Sequence, residues 1–172
     1  MNLNQNHFEL FGLPPTFDID LSALESRYRE LQREVHPDRY ASAPQAEQRV
    51  SMQLATRVNE AYRTLKSPLE RARYLLKLSG VDPEFETNTA MPVDFLTEQM
   101  ELREALEEAV ESESGAKLAT LRDKLQGGRG ALLVEIEGQL NAGAWKPAAG
   151  TLRRLMFLEK LGEEIADAED DL

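Results

Sequence analysis

The sequence has no cysteine, and only two of its 172 residues, His7 and His36, are histidines. Without cysteine the chain cannot form a disulfide, a thiolate metal site or an iron–sulfur ligand set of its own, and it has no cysteine nucleophile. Two histidines are too few for a His-rich zinc site, and no EF-hand spacing is present, so we expect neither metal nor cofactor. Counting alone leaves open an all-carboxylate site for a hard cation.

Long apolar runs are also missing. No run approaches the ~20 residues that a membrane-spanning helix needs, and the first six residues lack the charged and apolar regions of a secretory signal. We therefore expect a cytoplasmic chain without membrane contact. A length of 172 residues with 41% apolar composition suffices for one ordinary domain or two small ones, each with a buried core.

Negative charge is concentrated in the second part of the chain. Residues 1–78 carry eleven Lys/Arg against ten Asp/Glu, a net charge of +1, whereas residues 79–172 carry nine against twenty-one, a net charge of −12. An acidic half repels phosphate backbones, so nucleic-acid binding is disfavoured. The difference favours two modules with separate electrostatic tasks.

Helical periodicity dominates the first module. The predicted elements are a single turn at 7–12, a helix that Asp18 or Asp20 caps and that ends before Pro37, a helix from Pro44 to Leu65, and a helix from Pro68 to a stop at Gly80. The two long helices should form an antiparallel hairpin. Their predicted apolar stripes are Leu21, Leu24, Tyr28, Leu31 and Val35 in the first and Ala46, Val50, Leu54, Val58, Ala61 and Leu65 in the second, widened by Met52, Ala55 and Tyr62.

Residues 80–93 have no clear period and contain two prolines, which predicts a linker between a first domain at 1–79 and a second at 94–172. The second domain should be helical throughout. Its predicted elements are a helix capped by Asp94 and running to about Glu111, one helix or two over 116–141, and a helix over 145–165. Glycine costs about 1 kcal/mol inside a helix, so the cluster at 127–130 predicts a break or kink. The acidic tail from Glu163 is expected to fray.

His36-Pro37-Asp38 lies at the tip of the predicted hairpin, where side chains project into solvent. Any given tripeptide occurs by chance in roughly one chain in fifty of this length, so the motif needs context. A basic strip leads into it, because Arg29 and Arg33 lie one turn apart, Arg27 is near them and Arg39 follows directly.

The second long helix ends in Asn59-Glu60-Ala61-Tyr62-Arg63-Thr64-Leu65. With Tyr28 and Val35 before the tripeptide, this arrangement resembles the J-domain family. The resemblance implies that the loop docks on a DnaK-type chaperone and promotes ATP hydrolysis in that partner, while the chain itself catalyses nothing. The implied chaperone-binding residues are His36, Pro37, Asp38, Arg27, Arg29, Arg33 and Arg39.

Four further segments are similar to the HscB family of iron–sulfur cluster assembly co-chaperones: 7–14, 68–76, 95–104 and 152–158. The resemblance spans essentially the whole chain and implies an all-α fold, in which a J-domain precedes a C-terminal three-helix bundle. It also implies that the bundle binds an IscU-type iron–sulfur scaffold and presents it to an HscA chaperone. Carried over by position, the scaffold-binding residues are Leu96, Thr97, Met100, Glu101, Glu104 and Phe157.

Helical spacing supports that face independently, because Leu96, Met100 and Glu104 form one row and Thr97 and Glu101 the next. An apolar spot rimmed by carboxylates suits a partner with basic groups around an apolar patch. The alternative is that Leu96, Met100 and Phe157 form the core of the bundle.

Three other functions compete with this interpretation. The first is a general J-domain co-chaperone with a different client. The second is an acid/base enzyme that uses paired carboxylates, such as Glu101 with Glu104 or Glu107 with Glu108, although no histidine and no cofactor loop lie in that half. The third is a structural helical adaptor in which the loop has no role.

Overall fold

The computed structural model describes residues 4–82 and 92–172. Within these ranges every regular element is helical, which confirms the predicted all-α class. The chain divides into two compact units, Met1–Leu75 and Leu76–Leu172. Most of the predicted linker at 80–93, namely residues 83–91, lies outside the described residues. No helix in the described part is long and apolar enough to cross a membrane.

The helices in the first part of the chain begin and end close to the predicted positions. They are α1 (His7–Phe11), α2 (Leu21–Val35), α3 (Gln45–Lys66) and α4 (Pro68–Leu78), with a 3₁₀ turn at Pro37–Tyr40 between α2 and α3. Asp20 caps α2, because one of its carboxylate oxygens accepts from the amides of Ser22 and Ala23 at 2.9 and 3.0 Å. Gly80 ends α4 with a positive φ of 79°, as predicted.

α2 and α3 form the predicted antiparallel hairpin. The rings of Tyr28 and Tyr62 stack with centroids 3.9 Å apart, and at the other end of the pair the Ser51 hydroxyl bonds to the carbonyl of Val35. Leu31 and Val58 are completely buried between the helices. The hairpin thus projects the loop that joins its helices away from this buried seam.

Four residues expected in the apolar stripes are exposed, so their prediction was wrong: Leu21, Ala46, Val50 and Met52. Leu21 lies in the first turn of α2. Val50 and Met52 flank Ser51, which lies opposite the last residue of α2, so the neighbouring helix no longer covers the sides of α3 there. Ser51 itself occupies the buried position.

A buried arginine joins α4 to the segment before α2. Arg71 donates from Nε to the carbonyl of Leu65 at 2.8 Å and from Nη1 to the carbonyl of Phe17 at 2.6 Å. Its guanidinium also lies over the Phe17 ring. Burial lowers the pKa of Arg71, and the nearby Asp18 carboxylate partly opposes that effect. Nothing in the helical periodicity singles out this residue, since arginine is ordinarily exposed.

The second unit contains the expected three-helix bundle, formed by α5 (Val93–Glu111), α6 (Gly115–Asn141) and α7 (Trp145–Asp170). α6 runs antiparallel to α7, because Arg122 pairs with Glu169 and Arg129 with Glu159. It also runs antiparallel to α5, because only residues 112–114 separate the two helices and Lys117 pairs with Glu108 beside that turn. α5 and α7 are parallel. Leucine and isoleucine side chains from the three helices fill the interior: Leu102, Leu106, Leu118, Leu121, Leu125, Leu158, Leu161 and Ile165.

Asp94 does not cap α5, contrary to the prediction. Pro92 precedes the helix at the capping position, and Asp94 lies in the first turn. Its carboxylate pairs with Arg154 of α7 at 2.9 Å. The hydrogen bond from Arg154, followed by that from the Phe95 amide, lowers the pKa of Asp94. This carboxylate therefore joins two helices and does not begin one.

The glycine cluster at 127–130 does not break α6, and the prediction of a break was wrong. The helix is continuous from Gly115 to Asn141. Leu125 and Ile136 are buried on either side of the cluster, and Arg129 pairs with Glu159 of α7 at 3.1 Å. Because packing against α7 holds both flanks, it offsets the low helix propensity of glycine.

The acidic tail is also helical, so the expected fraying from Glu163 is wrong. α7 continues to Asp170. Ile165 is completely buried, while Glu164 pairs with Arg103 and Glu169 with Arg122. Burial and charge pairing to the other two helices thus outweigh the repulsion within this acidic segment.

Two glycine substitutions test the continuity of α6. Gly130→Ala should stabilise the bundle by about 0.5–1 kcal/mol, because alanine favours helix and its Cβ would meet no atom within 4 Å. Gly143→Ala should destabilise it by about 1–2 kcal/mol, because Gly143 has a φ of 68°. Urea unfolding followed by Trp145 fluorescence measures both, since Trp145 is the only tryptophan in the chain. A destabilising Gly130→Ala would contradict an unbroken α6.

Candidate functional site

The tripeptide His36-Pro37-Asp38 forms the start of the loop between α2 and α3. α2 ends at Val35, and His36 has φ −58° and ψ 126°, an extended conformation that the following proline favours. The Asp38 amide donates to His36 Nδ1 at 3.3 Å. The side chains of His36 and Asp38 are 56% and 91% exposed. Both polar groups are therefore presented to solvent, where a partner can contact them.

The four arginines of the predicted basic strip fall into two pairs. Arg27 pairs with Glu30 at 3.0 Å and Glu34 at 3.7 Å, and Arg29 pairs with Glu25 at 3.3 Å. Among the described residues no carboxylate lies within 4.0 Å of Arg33 or Arg39; these two donate to the backbone carbonyls of Arg29 and Arg33. The uncompensated positive charge therefore lies close to the loop.

A groove of about 1000 Å³ runs beside the loop between α2 and α3. Five of the seven predicted chaperone-binding residues line it, whereas Arg27 and Asp38 do not. The lining residues are Arg29, Gln32, Arg33, Val35, His36, Pro37, Arg39, Ala55 and Asn59. The other four, Gln32, Val35, Ala55 and Asn59, were not predicted as site residues, although Asn59 begins the motif at the end of α3.

Tyr28 holds the two helices together beside this groove. Its hydroxyl donates to Asn59 Oδ1 at 2.9 Å and accepts from Gln32 Nε2 at 2.7 Å. Its ring stacks on Tyr62. The tyrosine thus fixes two of the lining side chains, and the groove is preformed and not dependent on a partner for its shape.

Leu96 and Met100 of the predicted scaffold-binding set do not form the core of the bundle. They are 43% and 64% exposed on α5. Phe157 of α7 is half-buried, packs edge-to-face on Phe95 with centroids 5.9 Å apart, and carries the Arg103 guanidinium above its ring at 5.8 Å. Phe157 therefore contributes to packing and also keeps part of its ring at the surface.

The predicted residues of α5 form two adjacent rows on one side of the helix. Successive helical residues rotate by about 100°, which places Leu96 and Met100 next to Arg103, on the flank of α5 that faces Phe157. Glu104 continues the row of Leu96 and Met100, and Thr97 and Glu101 form the next row, farther from Phe157. The Thr97 hydroxyl also bonds within α5, to the carbonyl of Val93.

One exposed apolar residue next to this face was missed. Val93 is 78% exposed and lies one heptad before Met100, so it extends the row of Leu96 and Met100. Val93 was not predicted as a site residue because it directly follows Pro92, at the edge of the predicted linker. Glu101 and Glu104 have no ion-pair partner in the described part of the chain, so both carboxylates at the rim are open to a cation of a partner.

No group of three or more His, Asp or Glu side chains in the described ranges is arranged to hold a metal ion. The arrangement instead supplies two contact surfaces, one basic and one apolar with acidic neighbours.

Two protein families match this chain. The DnaJ domain matches residues 6–74, and the HSCB C-terminal oligomerisation domain matches residues 91–166. The chain is 50% identical to the co-chaperone protein HscB homolog of Azoarcus sp. (strain BH72), over 100% of this chain and 98% of that protein. It is 47% identical to the homolog of Burkholderia thailandensis, over 96% and 94% of the respective chains.

Solved structures show the same similarity. The chaperone HscB from Vibrio cholerae matches with a TM-score of 0.87 at 41% identity, over 98% of this chain and 99% of that one. Human co-chaperone HscB matches with a TM-score of 0.93 at 30% identity, over 100% and 86% of the respective chains. Since sequence and fold agree over nearly the whole length, the chain belongs to the HscB family of J-domain co-chaperones of iron–sulfur cluster assembly.

Proposed function

We propose that this chain, in the cytoplasm, binds an IscU-type iron–sulfur scaffold through its second unit and stimulates the ATPase of an HscA/DnaK-type chaperone through its first unit. Its DnaJ domain implies a partner of the Hsp70 type. The chain acts as a regulator, and ATP is hydrolysed in the active site of the partner. The observation that carries the proposal is the exposed His36-Pro37-Asp38 loop beside an arginine-lined groove.

The charge around the loop favours an acidic surface on the chaperone. Arg33 and Arg39 have no carboxylate within 4.0 Å among the described residues, so both can pair with carboxylates of a partner. Arg27 and Arg29 already have partners, but exposed ion pairs of this kind contribute only about 0–1 kcal/mol. Arg27 and Arg29 can therefore exchange a carboxylate of this chain for one of the partner at a small cost in free energy. We keep both in the chaperone-binding set.

A proposed docking face on the second unit consists of Leu96, Met100 and the exposed part of Phe157. Exposed methionine and aromatic side chains are common anchors at interfaces, because they remove a large apolar area from water. Glu104 is adjacent to Met100 and has no ion-pair partner among the described residues, so it suits a partner with basic groups around an apolar patch. Thr97 and Glu101 form the next row on α5 and serve as secondary contacts at the rim.

Steady-state ATP hydrolysis by the cognate HscA/DnaK-type chaperone tests the whole proposal. We would measure it with and without this chain, and with and without purified scaffold. The expected result is stimulation by the chain alone and greater than additive stimulation when scaffold is present. Stimulation without any effect of scaffold would support a J-domain co-chaperone with a different client, and absence of stimulation would contradict the proposal.

A substitution of the exposed histidine tests the role of the loop. His36→Gln should abolish stimulation of the chaperone ATPase, because the imidazole is an exposed contact group that glutamine does not reproduce. The fold should persist, since the His36 side chain is 56% exposed and makes only local contacts. ATPase rates measure the first effect, and far-UV circular dichroism with thermal unfolding measures the second. A fully active His36→Gln variant would remove His36 from the site.

A substitution on α5 separates the roles of the two surfaces. Met100→Ala should weaken scaffold binding by about tenfold, as expected for the loss of an exposed anchor of ~1–2 kcal/mol, and should leave stimulation without scaffold unchanged. Calorimetric titration with scaffold and the ATPase assay measure the two effects.

Val134→Ala is the matched control for Met100→Ala, because Val134 is 73% exposed on α6 and belongs to neither surface. It should change neither measurement. Phe157→Ala should weaken scaffold binding as well, but it also removes the packing of that ring on Phe95 and should lower the stability of the bundle. Equal loss of scaffold binding and of scaffold-independent stimulation in Met100→Ala would contradict the division between the units.

A further inference from the structure

The backbone carbonyls at the end of α2 lack their usual donors. In a continuing helix the carbonyl of Arg33 would accept from residue 37, which is a proline and has no N–H. The carbonyl of Glu34 would accept from the Asp38 amide, which bonds instead to His36 Nδ1. The carbonyl of Val35 would accept from the Arg39 amide, which bonds instead to the carbonyl of His36.

Side chains that follow in the sequence replace all three donors. Arg39 Nη1 donates to the carbonyl of Arg33 at 3.2 Å, and the Tyr40 hydroxyl to the carbonyl of Glu34 at 3.3 Å. Ser51 Oγ donates to the carbonyl of Val35 at 2.9 Å. The chain thus satisfies three consecutive carbonyls immediately before His36 with three different side chains.

Ser51 differs from the other two donors because it belongs to α3. Arg39 and Tyr40 lie in the 3₁₀ turn of the loop and move with it. Ser51 lies sixteen residues after Val35, is only 2% exposed, and takes a position in the buried stripe of α3 where an apolar residue would ordinarily pack. The hydrogen bond from its hydroxyl therefore fixes the start of the loop to the neighbouring helix.

We propose that Ser51 is a positioning residue for the chaperone-docking loop, since its hydroxyl holds the Val35 carbonyl and thereby preorganises His36, with Tyr40 in a supporting role. The peptide that carries this carbonyl also carries the amide of His36, so the bond constrains the orientation of the residue that follows. A loop that is ordered before binding loses less conformational freedom when it docks. This inference rests on the proposed function of the loop.

The test uses Ser51→Ala in the full chain, with two readouts. In the chaperone ATPase assay, the concentration for half-maximal stimulation should rise by about 3- to 10-fold, while the stimulation at saturation should be unchanged, because only the population of the docking-competent loop falls. In proton NMR spectra, the imidazole signals of His36 should shift or broaden. His7 is the only other histidine and lies against Tyr74, so its signals provide an internal reference.

Two variants control for a purely structural effect. Ser51→Thr retains the hydroxyl and should restore the half-maximal concentration to within about twofold of the original, because the same hydrogen bond can form. Thr56→Ala removes a hydroxyl from the same helix that bonds only to the carbonyl of Met52, and it should change neither readout. If Ser51→Ala does not fold, Tyr40→Phe carries the test, since it removes one hydroxyl from a half-buried side chain and should produce a smaller shift in the same direction.

A Ser51→Ala variant with a lower thermal midpoint but the original half-maximal concentration and the original His36 signals would overturn the proposal. Failure of the proposed function would look different: the unchanged chain would not stimulate the chaperone at all. In that case the NMR comparison still decides the matter, because displaced His36 signals support positioning by Ser51 and unchanged signals contradict it.

Discussion

Pro37 imposes the constraint on which the first unit depends. It has no amide hydrogen and disfavours helical geometry at His36, so α2 must end and its last carbonyls must find other donors. The end of the helix leaves the histidine exposed at a tip. The donors come from the loop and from α3, which connects the tip to the hairpin. Pro37 therefore exposes the loop and also leaves carbonyls that other side chains must bond.

The α2–α3 hairpin that carries the loop also forms the surface beside it. The stacked rings of Tyr28 and Tyr62, with the hydrogen bond from Tyr28 to Asn59, hold α2 and α3 at a fixed register. The groove beside the loop is lined from both helices. Because its walls belong to packed helices, a partner meets arginine side chains on a rigid support, which reduces the entropy lost on docking.

The second unit relies on packing along α7. The glycines of α6 and the acidic end of α7 both have weak local preferences for helix, yet both are helical where buried aliphatic side chains and cross-helix ion pairs hold them. The exposed row of Leu96 and Met100 is a different case. Those side chains remain in solvent although their neighbours Phe95 and Leu102 are buried, which makes the row available to another protein.

The helix limits in the first unit and the site of the loop were predictable from the order of residues, because proline, capping residues and 3.6-residue periodicity act locally. The three-helix bundle was implied by the family resemblance alone, since periodicity left one helix or two open over 116–141. Periodicity shows which residues share a face of a helix, but not whether another helix covers that face. For this reason Val50 and Met52 were expected to be buried, and the exposure of Leu96 and Met100 could not be settled.

Only the tertiary structure decided the remaining features. α6 is continuous because it packs against another helix. The buried hydrogen bonds of Arg71 and the bond from Ser51 to Val35 join residues that belong to different elements of the fold. The low helix propensity of glycine costs about 1 kcal/mol in a helix interior. The preference of polar side chains such as arginine and serine for solvent amounts to about 1 to a few kcal/mol. Packing and the satisfaction of buried polar groups act on the same scale, and their sign depends on which neighbours the fold supplies.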